Sequence, residues 1–193
     1  MLITDGSSTL SNFSEQRIRV IQTVELAVAA GIELVQVREK QLPGRLLFEL
    51  VRDAVGVTAG TNTRLLVNER FDIAIASEAD GVHLTSTSIP ADRVRASVPS
   101  GFLIGVSAHS GDEVFAAKAA GADYAMIGPV FDTPGKREPL GIDVLRDLSA
   151  AVAPFPLIAV GGIDDTNIRS VLDAGAAGFG AIRYLNDFVR ISQ

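Results

Sequence analysis

Eight short, almost wholly apolar runs alternate with helix-periodic stretches along the 193 residues, and small residues followed by glycine recur where helix gives way to strand. No dinucleotide-type glycine fingerprint follows the first of these runs. Together these features predict an α/β fold, a compact (β/α)8 TIM barrel in a single domain over residues 1–193, rather than an open doubly wound sheet. The chain is short for a fold that typically takes about 250 residues, so its loops must be lean. Runs without polar alternation suit parallel strands whose outer face is covered by helices.

Leu2 to Thr4 is the first strand, and a polar loop follows it to Asn12. Ile18, Ile21, Val24 and Val28 recur at three and four residues, predicting a helix that stops at Gly31. Leu34 to Arg38 is the second strand. Pro43 then precedes an amphipathic helix carrying Leu46, Leu47, Leu50, Val51, Ala54 and Val55, with a loose loop from Gly56 to Thr63. Arg64 to Val67 is the third strand, Ile73 to Ala76 a helical piece, and Gly81 to Leu84 the fourth strand. Pro90 opens a helix through Val98, and Phe102 to Val106 is the fifth strand. Ser110-Gly-Asp-Glu113 reads as a capping box on a helix ending at Gly121. Tyr124 to Ile127 is the sixth strand, running into a loop broken by Gly128-Pro129 and Pro134-Gly135. Ile142, Leu145, Leu148 and Val152 mark the next helix, and Pro156 to Val160 the seventh strand, entering Gly161-Gly162. Asp164 and Asp165 begin a helix that ends at Gly175, Gly178 to Ile182 is the eighth strand, and the last eleven residues form a terminal helix.

One junction is used repeatedly. Ala30-Gly31, Ala120-Gly121 and Ala174-Gly175 each end a helix directly before a strand, and Asp80-Gly81 before Val82 is a looser fourth copy. Glycine takes the left-handed cap there at little steric cost.

Composition narrows the function. With no cysteine, disulfides and thiolate metal sites are excluded, which fits a reducing compartment. No apolar run approaches the roughly 18 residues of a membrane span, and Met1 leads into Leu2-Ile3-Thr4 without a signal-peptide pattern, so a soluble cytoplasmic protein is expected. A net charge of −6 argues against nucleic acid as a partner, because such binding needs clustered cations. Anionic small molecules would have to be held by a few local cations.

Those cations are identifiable. There are three lysines, Lys40, Lys118 and Lys136, and two of them follow predicted strands. In a barrel the strand C-terminal ends face one mouth, where function collects. Those ends carry Gln36, Arg38 and Lys40; Asn68, Glu69 and Arg70; His83; Ser107 and His109; Thr133 and Lys136; Gly161 and Gly162; and Arg183. Period-2 alternation places Gln36, Arg38 and Lys40 on one strand face, as an anion or substrate site or as a salt bridge with Glu69. Gly161-Gly162 before a helix offers close backbone approach and free N–H groups to a phosphate. Arg183 is either a clamp on that phosphate or a solvated helix residue.

The same residues resemble the thiamine phosphate synthase family and its sister branch, the thiazole tautomerases. Gln36-Val-Arg-Glu-Lys40, Asn68-Glu-Arg70, Gly81-Val-His-Leu84, Ile104-Gly-Val-Ser107, Ala122-Asp-Tyr124 with Gly128-Pro-Val-Phe131, and Ala159-Val-Gly-Gly-Ile163 carry the resemblance through nearly the whole chain, in order. It implies an enzyme of thiamine biosynthesis that joins hydroxymethylpyrimidine diphosphate to thiazole phosphate and releases pyrophosphate. It further implies that Gln36, Arg38, Lys40 and Asn68 hold the pyrimidine diphosphate, with Lys136 reaching its pyrophosphate. Ser107 would sit near the reacting centre, and Thr133 and Gly162 would bind the thiazole phosphate. The implied partners are these small phosphorylated substrates, and a homodimer is left open.

The chain also departs from the family pattern. The synthases use two aspartates for Mg²⁺; Glu69 stands for one and Ser88 for the other, so the implied Mg²⁺ site is weakened. Ser88 reads more simply as a polar residue near the cap of the Pro90 helix. The family's Thr-Lys pair is Gly135-Lys136, and the serine expected after the eighth strand is Arg183. The tautomerase branch resembles this chain in Ser107-Ala-His-Ser110 and in lacking an aspartate at position 88, with His109 as its acid/base. A thiazole tautomerase is therefore the second functional reading, and a catalytically silent barrel binding thiazole or thiamine phosphate the third. His83 reads as structural.

Overall fold

A computed structural model describes residues 1–191, with the side chains of the last helix described to Asp187. Eight parallel strands form one sheet in the sequential order β1 to β8, each but the last followed by a helix that leads to the next, which is the (β/α)8 class. The chain divides into two compact units, residues 1–83 with the segment from Ile182, and Leu84–Ala181. Among the described residues no helix is long and apolar enough to cross a membrane.

The first unit holds β1 (Leu2–Ile3), α1 (Phe13–Ala29), β2 (Leu34–Val37), α2 (Gly44–Thr58), β3 (Arg64–Asn68), α3 (Phe71–Ala76), β4 (Gly81–Leu84, to His83) and α8 (Arg183–Ile191). Strands β2 and β3 pair from Leu34 opposite Arg64 to Val37 opposite Val67. Val35, Val37, Leu65 and Val67 are buried, as are Leu47, Leu50, Val51 and Ala54 along α2, the helix stripe and strand faces that period 3.6 and period 2 call for. Helix α2 runs to Thr58, two residues beyond the Gly56 at which the sequence suggests a loop. Gly56 is exposed, and the buried Thr58 after it keeps the turn packed.

The second unit holds α4 (Ala91–Arg95), β5 (Leu103–Ala108), α5 (Gly111–Ala119), β6 (Tyr124–Ile127), α6 (Ile142–Val152), β7 (Leu157–Val160), α7 (Ile168–Asp173) and β8 (Gly178–Gly180). Its core packs Ala125, Ile127, Leu157 and Ala159 from the strands with Val114, Leu145, Val152 and Val171 from the helices. Ser110 caps α5 as expected, accepting the Glu113 N–H at 3.3 Å. Glu113 reaches back one residue further than a standard capping box, to the N–H of His109 at 2.7 Å. Lys118 donates to the carbonyl of Val152 at 2.8 Å, closing the end of α6, so this lysine is structural.

The repeated junction has a clear mechanism. Gly31, Gly121 and Gly175 adopt positive φ, and the following N–H returns into the helix, Ile32 to Ala27 and Ala122 to Ala117. In the fourth copy Gly81 lies inside β4, and the left-handed cap is Glu78 at φ 61°, with Ala79 N–H returning to Ala74. The acid beside two of these junctions also works. Asp80 accepts from Leu65 N–H and Asp123 from Ile104 N–H, so each carboxylate holds the neighbouring strand's backbone.

Candidate active site

In the first unit the expected cations are set at the end of β2. Gln36 is 2% exposed, and its amide Nε2 has no hydrogen-bond partner among the described residues. The strand ends at Val37, so the alternation expected through Lys40 stops short. Arg38 is half-buried and Lys40 exposed, and both leave a loop rather than a strand. Lys40 pairs with Glu69 at 3.4 Å, and Asn68 Nδ2 donates to the same Glu69 Oε2 at 2.9 Å. Partly solvated, that ion pair contributes at most about 1 kcal/mol. Lys40, Asn68, Glu69 and Arg70 line a cleft of about 260 Å³ with Val37, Glu39, Leu42 and Leu47. Arg70 donates to both oxygens of Asp72, at 2.8 and 2.6 Å.

Glu69, directly before the N-cap residue Arg70 of α3, has φ 61°, a conformation that costs a non-glycine residue on the order of 1 kcal/mol or more. Its N–H donates to the His83 carbonyl at 2.9 Å, fixing the backbone where β3 leaves the sheet. Glu69 is a single carboxylate, and no group of three or more His, Cys, Asp or Glu among the described residues could hold a metal. Ser88 does not compensate, because its hydroxyl accepts the Thr85 N–H at 2.8 Å within a turn. This donor set fits a Mg²⁺ that takes most of its ligands from a substrate phosphate and water, not a protein-built cage.

His83 is buried in β4, which lowers its pKa to about 4 against a weaker opposing pull from Glu69. The native state therefore keeps it neutral, while the unfolded chain takes up a proton below about pH 6.5. Its contribution to stability is complete above that pH and is lost as pH falls toward 4. Acidification from pH 7 to 4.5 should cost about 2–3 kcal/mol through this residue. Thermal melts of wild type and His83→Asn across that range check it: the variant should show the shallower dependence, and parallel curves would refute it.

In the second unit the site residues gather where β5, β6 and β7 end. Ser107 lies on β5 and is half-buried. His109 follows the strand, with its Nδ1 2.8 Å from the Gly128 carbonyl, so Nδ1 carries the proton and Nε2 is the basic nitrogen. Thr133 donates to the Phe131 carbonyl at 3.0 Å, and Lys136 is exposed with no ion pair among the described residues. Gly161 and Gly162 both adopt positive φ, 92° and 65°. A Cβ on Gly161 would fall 2.5 Å from Pro129 Cβ and 3.2 Å from Thr133 Oγ1, and one on Gly162 would fall 2.6 Å from the Asp132 carbonyl. The twin glycines thus let the β6–α6 loop lie against the end of β7, as the Val130 and Phe131 N–H bonds to Val160 and Gly161 carbonyls show.

The expected helix directly after the glycines is absent. Asp164 instead accepts from Thr166 and Asn167 from Asp164, forming a turn, and α7 begins at Ile168 and spans six residues. Helix α7 starts too late to offer its N-terminus beside the glycines, which leaves the paired left-handed glycines as a backbone concavity. Arg183 is exposed as the first residue of α8, in the first unit. Glu39, which the sequence shows within the Gln36–Lys40 run but to which it assigns no role, is buried at 2% exposure. A carboxylate inside a cationic run was the available signal.

A family model described as thiamine monophosphate synthase matches residues 1–185. A relative from Geobacter sulfurreducens is 46% identical over 166 residues, covering 84% of this chain and 78% of the relative. The thiamine-phosphate synthase of Methanoculleus marisnigri is 41% identical over 160 residues, covering 81% and 75%. Among solved structures, a thiamine phosphate pyrophosphorylase from Pyrococcus furiosus superposes with a TM-score of 0.82 at 28% identity, over 97% of this chain and 90% of that one. With the motifs in order and the fold matched almost end to end, this chain belongs to the thiamine monophosphate synthase family.

Proposed function

We propose that this chain is a thiamine-phosphate synthase, a transferase acting on hydroxymethylpyrimidine diphosphate and thiazole phosphate. The pyrimidine methylene C–O bond breaks, the thiazole nitrogen supplies the electron pair for a new C–N bond, and pyrophosphate leaves with the electrons of the broken bond. No protein nucleophile is needed, so catalysis rests on holding two anions and stabilising the departing charge.

The observation that carries this reading is the amide of Gln36, buried with an unpartnered donor at the head of a cationic run. Burying a donor without an acceptor costs about 1–3 kcal/mol, a cost that a polar substrate atom would offset. Gln36 then orients the pyrimidine, and Arg38 and Lys40 neutralise its diphosphate, Lys40 exchanging Glu69 for a phosphate oxygen. Asn68 holds the Glu69 carboxylate in place for Mg²⁺, which when bound supplies counter-charge to the departing pyrophosphate. In the second unit Thr133 and the Gly161-Gly162 concavity take the thiazole phosphate, and Ser107 offers its hydroxyl from β5. Of the three lysines, Lys118 is used in a helix cap, and Lys136, exposed and with no ion pair among the described residues, joins Lys40 in offering a cation to the departing pyrophosphate. Arg183 contributes charge at the head of α8. The relatives named above give the tautomerase alternative no support, and His109 in this reading orders the β6–α6 loop through the Gly128 carbonyl.

Incubation with both substrates and Mg²⁺ should yield thiamine phosphate and pyrophosphate in equal amounts. Lys136→Ala should lower kcat by roughly a hundredfold, the scale of removing one charge-stabilising group. Absence of thiamine phosphate from the wild-type reaction would overturn the assignment.

A further inference from the structure

The second strand stops at Val37, so the sheet ladder does not fix the backbone that carries Arg38 and Lys40. Another set of bonds does. The Arg38 N–H donates to the Thr4 hydroxyl at 2.9 Å, and that hydroxyl donates to Glu39 Oε1 at 2.6 Å. The second carboxylate oxygen, Oε2, accepts the Ser8 N–H at 2.9 Å, and the Thr4 N–H donates to the Gln36 carbonyl at 3.0 Å. Thr4, Ser8 and Glu39 are all buried, at 2%, 0% and 2% exposure. Gly6 closes the arrangement: at φ 77° it lies so near Arg38 that a Cβ would fall 3.1 Å from its carbonyl oxygen and 3.3 Å from Nη1.

From this we infer that Glu39 is a positioning residue, a buried clamp between the β1–α1 loop and the end of β2 that sets where Arg38 and Lys40 present their charges. The inference rests on the synthase reading for the identity of the anion. Both oxygens of the Glu39 carboxylate are engaged by Thr4 and Ser8, so the carboxylate is directed to the loop and not to the two cations. A carboxylate suits the task better than an amide, because both of its oxygens accept and an amide offers one accepting oxygen. Bonds to an ionised acceptor are also the stronger class, which offsets the desolvation of the buried charge. A long cation on an unfixed loop would lose conformational freedom each time it bound a phosphate; a clamped backbone has already lost part of it.

The test compares Glu39→Gln, Thr4→Val and Thr4→Ser in full-length protein, using steady-state kinetics with each substrate varied and calorimetric titration of inorganic pyrophosphate. Glu39→Gln and Thr4→Val should raise KM for the pyrimidine diphosphate, and weaken pyrophosphate, by roughly tenfold to a hundredfold, the cost of misplacing a binding group by about an ångström. KM for the thiazole phosphate should stay within about twofold, because the clamp touches only the diphosphate cations. Thr4→Ser keeps the hydroxyl and should restore the KM that Thr4→Val loses. A purely structural role would instead lower the active fraction and leave both KM values alone. That result, or a folded Glu39→Gln with wild-type pyrophosphate affinity, overturns the proposal. Should Glu39→Gln fail to fold, the Thr4 pair decides by the same criterion. Failure of the wild type to make thiamine phosphate would overturn the synthase reading alone, and pyrophosphate affinity across the variants would still judge the clamp.

Discussion

Replacing Gly105 by alanine should destabilise the protein by about 3 kcal/mol or more. Gly105 on β5 stands directly opposite Tyr124 on β6, and the tyrosine ring crosses the place where a side chain would be. An added Cβ would lie 2.0 Å from Tyr124 Cζ and 2.1 Å from its hydroxyl oxygen. Neither partner can yield cheaply, because the contact is with a rigid ring that is itself buried at 5% exposure. Burial also raises the phenol's pKa, so the ring stays neutral and offers no charge to draw it outward. For a chain of this length each kcal/mol lowers Tm by about 2–4 °C, giving a drop of roughly 10 °C in a thermal melt. Tyr124→Leu in the Gly105→Ala background should recover part of the loss, so the two substitutions should couple favourably rather than add. A Gly105→Ala protein melting within about 2 °C of wild type would show that the ring has another place to go.

The Gly105–Tyr124 pair also marks what the sequence could and could not disclose. Each residue was placed correctly on its strand by local pattern alone, since a buried parallel strand announces itself by an unbroken apolar run between turn residues. Helix stops were legible for the same reason: Gly31, Gly121 and Gly175 solve a local backbone problem that no distant residue alters. Boundaries that depended on packing were not. Whether α2 ends at Gly56 or continues to Thr58 depends on what Thr58 is buried against, and α7 starts late because Asp164, Thr166 and Asn167 form their own hydrogen-bonded turn. Ser, Thr, Asn and Asp compete with helix in this way through their side chains, so an acidic pair reads as a helix start when it is a turn.

The site divides along the same line. The cations after β2 and the lysine of the β6–α6 loop were visible because the chain has only three lysines and two of them follow strands. The role of Glu39 was invisible, because its partners Thr4 and Ser8 are more than thirty residues away in the chain. The twin glycines were recognised as special, but half of their reason lies in Pro129 and Asp132 of another loop, which occupy the space a side chain would need. Chemistry that depends on one residue's type can be read in one dimension; chemistry that depends on who stands opposite cannot.

Gln36→Met should move stability and activity in opposite directions. The side chain is of similar volume, so the surrounding packing is kept, and the substitution removes a buried amide donor that has no partner among the described residues. An unsatisfied buried donor costs about 1–3 kcal/mol, and its removal should raise Tm by roughly 2 °C or more in the absence of substrate. The same change deprives the pyrimidine of its polar contact. A site built to hydrogen-bond a substrate discriminates strongly against losing that bond, so kcat/KM for the pyrimidine diphosphate should fall by about a hundredfold or more. Such a pairing of gains and losses is expected where a folded chain carries an unmet polar group for the sake of its ligand. Differential scanning fluorimetry without substrate, set beside steady-state kinetics, measures both halves. A lower Tm would mean that the amide is already satisfied in the free protein, and an unchanged kcat/KM would mean that it faces no substrate. Either result alone would remove Gln36 from the binding site, because the proposed role requires the cost in the free protein and the gain in the complex to belong to one nitrogen atom.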